Sequence, residues 1–389
     1  MAKYDFETII ERRGTGSLKW DAWSRRGHAA DELPLWVADM DFKTVPAAIE
    51  ALTERVAHGV FGYSMAPDGY YEAVQGWFEH RHGWRPEREW FVMTPGVVFA
   101  LAMAVTSFTQ PGDAVIIQPP VYYPFRMMIE DNGRKMVTSP LLYDGGRYTM
   151  DYEGFERELE KTGAKLFILC NPHNPVGRAW TEDELRRIGD ICLRHNVVVV
   201  ADEIHADLIL PGHSFVSMAS LEEKYLRNCA VSTSCTKTFN IAAIKGAAVV
   251  MADEERRRAY RAMREDSGRD ILSYAACIAV WERCEGWLDE LLTVLDGNFR
   301  LLSDFCRDHL PEVGVTPLEA TYLPWLDFRF LGMEPGEQER FMGEKARCFF
   351  TEGYHFGAEG AGFERWSIAC PRHVLEEGLV RMERAIRSR

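Results

Sequence analysis

The chain of 389 residues has no apolar run close to the roughly 20 residues that a membrane-spanning helix needs. It also has no excess of basic residues, because 45 lysines and arginines stand against 59 aspartates and glutamates, a formal net charge of −14. A protein that binds nucleic acid or an anionic membrane nonspecifically needs a basic face, so this balance argues against both. Residues 1–7 lack the apolar stretch of a signal peptide. We therefore expect a cytoplasmic protein with neither membrane nor nucleic acid as a partner.

Paired cysteines are also absent. The nine cysteines are scattered, none forms a Cys-x-x-Cys pair, and most lie in apolar stretches, as Cys170, Cys192 and Cys277 do. This pattern predicts buried free thiols in a reducing compartment and no metal site. The sequence has no internal repeats and no low-complexity segments.

The composition predicts a folded α/β protein. Hydrophobic residues make up 47% of the chain and aromatic residues 12%, and the length suffices for two domains. After about 45 irregular residues, helical patterns alternate with short valine-rich runs that show no polar alternation. Such runs are typical of a mostly parallel sheet covered by helices on both faces. The predicted helices are 47–58, 70–81, 97–108 and 182–196, and the predicted strands are 90–93, 114–118, 165–170, 197–201, 230–233 and 247–251.

The region around residues 268–287 is mainly helical in pattern and could lead into a smaller C-terminal domain. There the pattern predicts helices at 289–309, 336–352 and 375–387, and strands at 322–329 and 365–369.

Lys237 is the most informative residue, because it follows a predicted strand and is surrounded by hydroxyl groups. Residues 232–240 read STSCTKTFN, with five serines and threonines. A lysine taken at random lies on the surface, but the flanking apolar strands indicate a pocket here. Burial lowers the pKa of an amine and makes it a nucleophile that forms Schiff bases.

Two more polar clusters follow predicted strands. Asp202 ends a run of four valines and an alanine, where a carboxylate could cap a helix or pair with the nitrogen of a pyridine ring. Asn174 lies in the segment NPHNPVG, which is ordinary turn chemistry or an amide that donates to a ligand. Because ligand sites of parallel sheets lie beyond the carboxyl ends of the strands, we expect these clusters to converge.

Other residues carry weaker signals. Gly96 precedes an apolar helix, and a glycine there lets backbone N–H groups approach a phosphate. Tyr122 and Tyr123 are either core residues or a stacking face for a ring. Arg365 could bind a substrate carboxylate through two hydrogen bonds, although a surface ion pair is the ordinary alternative; Arg372 is a second candidate.

An amine for a Schiff base, hydroxyls for a phosphate and a carboxylate for a ring nitrogen together fit pyridoxal 5′-phosphate (PLP). Over nearly its whole length the chain resembles the fold-type I, aspartate-aminotransferase-like PLP enzymes, and more narrowly the MalY/PatB group of cystathionine β-lyase-type C–S lyases. The segments that carry the resemblance are 33–42 (LPLWVADMDF), 170–177 (CNPHNPVG), 202–207 (DEIHAD), 236–240 (TKTFN) and 319–327 (EATYLPWLD).

The resemblance implies a large PLP-binding domain (46–285) with a mostly parallel seven-stranded sheet flanked by helices. It further implies a smaller α+β C-terminal domain (286–389), against which an N-terminal segment (1–45) packs.

The resemblance also implies a role for each site residue. Lys237 holds the cofactor covalently, Asp202 pairs with the pyridine nitrogen, and Asn174 contacts the phenolic oxygen. Tyr122 stacks on the ring, and Arg365 binds the substrate α-carboxylate. The implied phosphate ligands are Gly96, Val97, Val98, Ser234, Thr236 and, from the partner subunit of a homodimer with shared sites, Tyr63. Trp36, Tyr123 and Tyr322 are expected at the wall of the substrate pocket.

Three residues depart from the related enzymes. His205 stands where many relatives have a tyrosine directed at the phenolic oxygen. Lys245 stands where an arginine usually holds the phosphate, and a lysine lacks the bidentate fork. Pro324 is less usual for the lyase group.

The expected reaction is β-elimination from an L-cysteine S-conjugate such as cystathionine, which yields a thiol, pyruvate and ammonia. Lys237 would act as the general base. An aminotransferase would use the same residues in its first steps and is the main alternative. A third interpretation is a protein whose main role is binding, since some members of the lyase group also act on transcription regulators.

Overall fold

The computed structural model describes residues 3–22, 31–263 and 270–389. Its strands, in chain order, are β1 Leu33–Pro34, β2 Phe91–Thr94, β3 Ala114–Ile117, β4 Lys135–Thr138, β5 Leu142–Asp144, β6 Arg147–Thr149, β7 Leu166–Cys170, β8 Val198–Asp202, β9 Cys229–Thr233, β10 Ala247–Val250, β11 Gly314–Val315, β12 Trp325–Asp327, β13 Cys348–Phe349, β14 Thr351–Glu352 and β15 Phe363–Arg365. Its helices are α1 Pro46–Ala57, α2 Asp68–His82, α3 Val97–Phe108, α4 Pro124–Glu130, α5 Tyr152–Thr162, α6 Glu182–Arg194, α7 Glu223–Leu226, α8 Glu254–Met263, α9 Ile271–Arg283, α10 Glu285–His309, α11 Pro335–Phe341 and α12 Arg372–Arg387.

A seven-stranded sheet organises the larger part of the chain. Its strand order is β2-β10-β9-β8-β7-β3-β4, and only β10 runs antiparallel to its neighbours in this sheet. Strands β3, β7, β9 and β10 are buried at every position. Because helices cover both faces, these strands are continuous apolar runs, and the expected mostly parallel α/β sheet is confirmed.

The register of the central strands places polar residues side by side at one edge. Cys170, the last residue of β7, lies opposite Asp202, the last residue of β8, and Asp202 lies opposite Ser232 of β9. The loops that follow β7, β8 and β9 therefore leave the sheet next to one another, as the rule for parallel sheets requires.

A second, antiparallel sheet of strand order β11-β12-β15-β14 forms in the C-terminal part. Near it, β1 pairs with β13 in parallel, with Leu33 opposite Cys348, so the N-terminal segment contacts the C-terminal part of the chain. The division into 1–45, 46–285 and 286–389 stays a prediction.

One predicted helix is wrong in its second half. The sequence pattern predicts a helix over 336–352, but α11 ends at Phe341, a single π-helical turn covers Met342–Ala346, and strands β13 and β14 follow. Arg347 has a left-handed backbone with φ of 53°, which no helix continues through. The next residues, Cys-Phe-Phe-Thr, favour strands once they are buried against the core.

Further differences concern boundaries and missed elements. Strand β12 is shorter than the predicted 322–329, since Thr321 has a positive φ of 73° and Pro324 precedes the strand. Elements without a counterpart among the predicted ones include β4, the hairpin of β5 and β6, and helices α4, α5, α7 and α8.

All nine cysteines are free and buried, as predicted. Within the ranges that the structure describes, no helix combines the length and the apolar character needed to cross a membrane.

Candidate active site

A cavity of about 770 Å³ lies where the loops after β2, β7, β8 and β9 meet the C-terminal sheet and the N-terminal segment. It gathers most of the residues singled out from the sequence. The predicted site residues that line it are Trp36, Gly96, Val97, Val98, Tyr122, Asn174, Asp202, His205, Thr236, Lys237, Lys245 and Arg365.

The amine of Lys237 points into this cavity and donates a hydrogen bond to the carbonyl of Ala38 at 2.6 Å. Removal from water lowers the pKa of Lys237 to about 8, further helped by the charge of Arg365 and opposed by Asp39 and Asp202. A lysine with such a pKa has an appreciable neutral fraction near pH 7, so it can act as a nucleophile or a base.

Asp202 is buried at the end of β8, with only 4% of its surface exposed. Its Oδ1 accepts a hydrogen bond from the amide of Ile204 at 3.2 Å. Burial raises the pKa of Asp202 to about 6, although the Ile204 amide and the charge of Lys237 act in the opposite direction. A carboxylate desolvated in this way is stabilised by a cation, and a protonated ring nitrogen would supply one.

Arg365, the last residue of β15, lines the same cavity. Its NH1 donates to Asn174 Oδ1 at 3.0 Å, and its NH2 donates to Thr351 Oγ1 at 3.1 Å and to the carbonyl of Trp36 at 3.0 Å. Its Nε is buried without a hydrogen-bond partner. Burial lowers the pKa of Arg365 to about 10, against the effect of Tyr123, Tyr122 and Tyr322. The guanidinium is thus held rigidly with a donor left for a ligand carboxylate.

The lining of the cavity also includes the groups of an anion site. Gly96 is the residue before α3, and the amides of Val97 and Val98 belong to the first turn, where no helical acceptor exists. A side chain added at Gly96 would meet nothing within 4 Å, so this corner is open space. Thr236 and Lys245 also line it. A helix N-terminus with a hydroxyl and an ammonium group favours a phosphate.

Ser234 does not itself line the cavity but contacts a residue that does. Its Oγ is 2.8 Å from Thr236 Oγ1 and donates to the carbonyl of Gly246 at 2.5 Å. Ser234 thus contacts the side chain that lines the cavity.

Tyr122 and His205 also line the cavity. The Tyr122 ring packs beside Tyr123 and Phe125, at centroid distances of 5.5 and 5.8 Å, and lines the cavity. Burial lowers the pKa of His205 to about 3, with Lys237 and Arg365 acting in the same direction, so its imidazole is neutral. His205 Nδ1 is buried without a partner. An orphaned polar atom at a cavity wall indicates that a ligand completes its hydrogen bonding.

Four candidate residues are not among those that line the cavity: Ser234, Tyr322, Arg372 and Tyr63. The Tyr322 hydroxyl donates to the carbonyl of Ala38, a lining residue, at 2.9 Å. Arg372 begins α12 and pairs with Glu376 at 3.2 Å on the surface, so the alternative role for this arginine is not supported. Tyr63 is fully exposed and contributes nothing to the cavity of its own subunit.

Sequence reasoning missed several groups of the site. Thr351 binds Arg365, but it lay inside a wrongly predicted helix. The carbonyls of Trp36 and Ala38 bind Arg365 and Lys237, and a backbone carbonyl has no sequence signal. Phe349 and His355 also line the cavity.

These groups fit PLP. The fit rests on the desolvated carboxyl group of Asp202, the unpaired Nδ1 of His205, the open corner at Gly96 and the lysine with a lowered pKa. Each corresponds to one part of a cofactor with a ring nitrogen, a phenolic oxygen, a phosphate and an aldehyde.

Comparisons with known proteins agree with this fit. The profile of the family "Aminotransferase class I and II" matches residues 30–381. The chain is 40% identical over 385 residues to cystathionine beta-lyase PatB of Bacillus subtilis, which spans 98% of this chain and 100% of the relative. It is 33% identical to protein MalY of Escherichia coli over 99% of both chains.

Solved structures of PLP-containing proteins are similar to this chain over nearly its whole length. Cystalysin of Treponema denticola, which contains PLP, is similar with a TM-score of 0.95 and 40% identity over 99% of both chains. A PLP-bound C–S lyase of Staphylococcus hominis has a TM-score of 0.93 and 31% identity, covering 99% of this chain and 98% of that one.

We predict that Asp202→Asn stabilises the cofactor-free protein at pH 8 by about 3 kcal/mol, because the asparagine removes a desolvated charge. The raised pKa means that the folded protein retains a proton at Asp202 between the ordinary value of 3.8 and about 6. The free energy of unfolding of the unsubstituted protein therefore falls as the pH rises through that window. The difference in stability between the variant and the unsubstituted protein grows over the same window.

Urea unfolding of the cofactor-free protein at pH 4 and pH 8 measures this difference. Asp304→Asn, at an exposed position of α10, is the matched control and is expected to change neither value. A variant less stable than the original at pH 8 would contradict the assignment of a desolvated Asp202.

Proposed function

Because the chain belongs to the class I and II aminotransferase family, we propose that it is a PLP-dependent C–S β-lyase of the cytoplasm. Its substrate would be L-cystathionine or a related L-cysteine S-conjugate, cleaved to a thiol, pyruvate and ammonia. One observation carries the proposal: Lys237, Asp202 and Arg365 converge on a single cavity of a chain similar over its full length to proteins named as cystathionine β-lyases. Nine buried free thiols favour a reducing compartment.

The residues of the cavity would hold PLP at three points. The amides of Val97 and Val98 with Thr236 and Lys245 would bind the phosphate, Asp202 the ring nitrogen, and Lys237 the aldehyde carbon. Tyr122 would cover one face of the ring, with Asn174 and His205 near its phenolic oxygen. When bound, PLP withdraws electrons from the substrate α-carbon, which acidifies the α-proton and lets a thiolate leave from the β-carbon.

Lys237 is the group suited to take that α-proton. Its pKa of about 8 makes the neutral amine accessible near physiological pH, whereas an ordinary lysine would be almost fully charged. The ammonium formed on proton transfer faces the Ala38 carbonyl, which already accepts from this amine. Asp202 would stay ionised beside a protonated ring nitrogen and would favour its protonated form.

Arg365 would fix the substrate by its α-carboxylate. Three hydrogen bonds, to Asn174, Thr351 and Trp36, prevent the guanidinium from rotating. Rigid placement of the carboxylate orients the α-C–H bond toward Lys237 at little entropic cost in the reaction step.

We predict that the protein with PLP releases pyruvate from L-cystathionine over many turnovers without any added keto acid. Lys237→Ala should lose at least about a thousandfold in kcat, because base and covalent anchor are both removed. Exposed Lys165→Ala is the matched control and should keep full activity. A lactate dehydrogenase-coupled assay measures the pyruvate.

An aminotransferase is the second candidate, because the matching family profile is that of the aminotransferases. It would give a single turnover per subunit that resumes only when a keto acid is added. That result would contradict the lyase proposal while leaving the roles of Lys237 and Asp202 intact.

We further propose a homodimer in which Tyr63 reaches the phosphate of the neighbouring subunit. The segment 60–65 supports it, because Val60, Phe61, Tyr63 and Met65 all expose more than half of their surface. Such a run of apolar side chains is typical of a surface that a partner covers. A phenol that adds no contact in its own subunit is free to donate in another.

We predict a sedimentation mass of two chains, and a PLP dissociation constant about tenfold higher in Tyr63→Phe, since one hydrogen bond to a charged phosphate is lost. The mass of the variant should not change. Tyr152→Phe, remote from the cavity, is the control. A monomeric protein, or equal PLP affinity in the two proteins, would contradict the shared site.

A further inference from the structure

The segment Trp36–Asp41 is a sequence motif whose role the proposed reaction does not explain. Two of its backbone carbonyls, those of Trp36 and Ala38, bind cationic side chains that line the site. The Trp36 carbonyl accepts from Arg365, and the Ala38 carbonyl accepts both from Lys237 at 2.6 Å and from the Tyr322 hydroxyl at 2.9 Å. The position of this backbone therefore determines where both cationic groups lie.

The loop that carries Lys237 is tied to the same segment. Asn240 Oδ1 accepts from the amide of Met40 at 3.0 Å, and its Nδ2 donates to the carbonyls of Met40 and Phe42 at 3.0 and 2.8 Å. Thr44 Oγ1 donates to the carbonyl of Phe239 at 2.7 Å. A displacement of one segment thus displaces the other.

The same segment is also held by a cluster of four charged side chains, Arg12, Lys19, Asp39 and Asp41. Arg12 forms two hydrogen bonds with Asp39, at 2.7 and 3.0 Å, and a third with Asp41 at 2.7 Å. Lys19 is fully buried, with Nζ 2.6 Å from Asp41 and 3.9 Å from Asp39. Trp20 Nε1 also donates to Asp41, at 3.1 Å. Two cations and two carboxylates balance, so burial of the cluster leaves no net charge.

We propose that Asp39, clamped by Arg12 and Lys19, is a positioning residue that holds the Ala38 carbonyl against Lys237 and supplies a negative field to its amine. The consequence for catalysis rests on the proposed role of Lys237 as base. Asp39 would make the amine basic enough to take the α-proton, and Arg12 would limit that effect by partly neutralising the carboxylate.

Other groups also face Lys237. Asp202 approaches from β8 and Arg365 from β15, and His205, Tyr122 and Tyr322 surround them as neutral groups. Among the charged neighbours, Asp39 acts on the pKa of Lys237 more strongly than Arg365 or Asp202 does. Substitution of Asp39 or of Arg12 should therefore change the pKa of the Lys237 amine.

The test measures the pKa of Lys237 in the cofactor-free protein, by trace acetylation with acetic anhydride from pH 6 to pH 11 and mass spectrometry of the peptide. Asp39→Asn should lower this pKa by about one unit, because the ammonium loses a nearby anion, and Arg12→Gln should raise it, because the same anion loses its counter-charge. Glu290→Gln is the control. It loosens the start of the N-terminal segment, where Glu290 accepts from the amides of Lys3 and Tyr4, without altering the four-charge cluster.

Opposite shifts support the proposal, because general loosening of the segment would move both variants in one direction. Shifts of the same sign, or shifts no larger than that of Glu290→Gln, overturn it. If Asp39→Asn does not fold, the direction of the Arg12→Gln shift decides. Failure of the proposed reaction is recognised separately, as absence of pyruvate from the unsubstituted protein with PLP, and it leaves the labelling result standing.

Discussion

The rest of the site depends on the desolvation of a lysine and an aspartate at the carboxyl ends of the strands of a mostly parallel sheet. Lys237 and Asp202 follow neighbouring strands β9 and β8, and the burial that brings them together also shifts their pKa values toward each other, to about 8 and about 6. In water both groups would be charged and inert. Inside the cavity the charged form of each group is destabilised. A cofactor whose aldehyde binds the lysine and whose ring nitrogen pairs with the aspartate would remove this energetic cost for both groups.

The parts of the chain outside the main sheet complete this site. The antiparallel C-terminal sheet supplies Arg365 and Thr351, and the N-terminal segment supplies the carbonyls of Trp36 and Ala38. Pairing of β1 with β13 links these two parts to each other. The neutral imidazole of His205 adds a polar group without adding charge, and the charges of Asp202 and Asp39 both act on the amine of Lys237.

Much of the sheet and the residues at its edge could be predicted from the sequence, because buried parallel strands are continuous apolar runs and polar side chains directly follow them. The run of valines before Asp202 and the hydroxyl cluster around Lys237 are such signals. The contacts made by backbone carbonyls could not be predicted, since any residue type could provide the carbonyl of Ala38. Thr351 was missed because the left-handed residue Arg347 ends a helical pattern that the side chains alone would continue. The ion cluster of Arg12, Lys19, Asp39 and Asp41 could not be predicted either. It joins residues that are distant in sequence, and the hydrophobic periodicity of a single segment carries no information about such contacts.

The central claim is that Lys237 carries the cofactor. Reduction of the protein with borohydride after addition of PLP, followed by proteolysis and mass spectrometry, tests it most directly. The account predicts one stable adduct of reduced PLP per chain, on the peptide that contains Lys237. An adduct confined to another lysine, or no adduct at all, would contradict it.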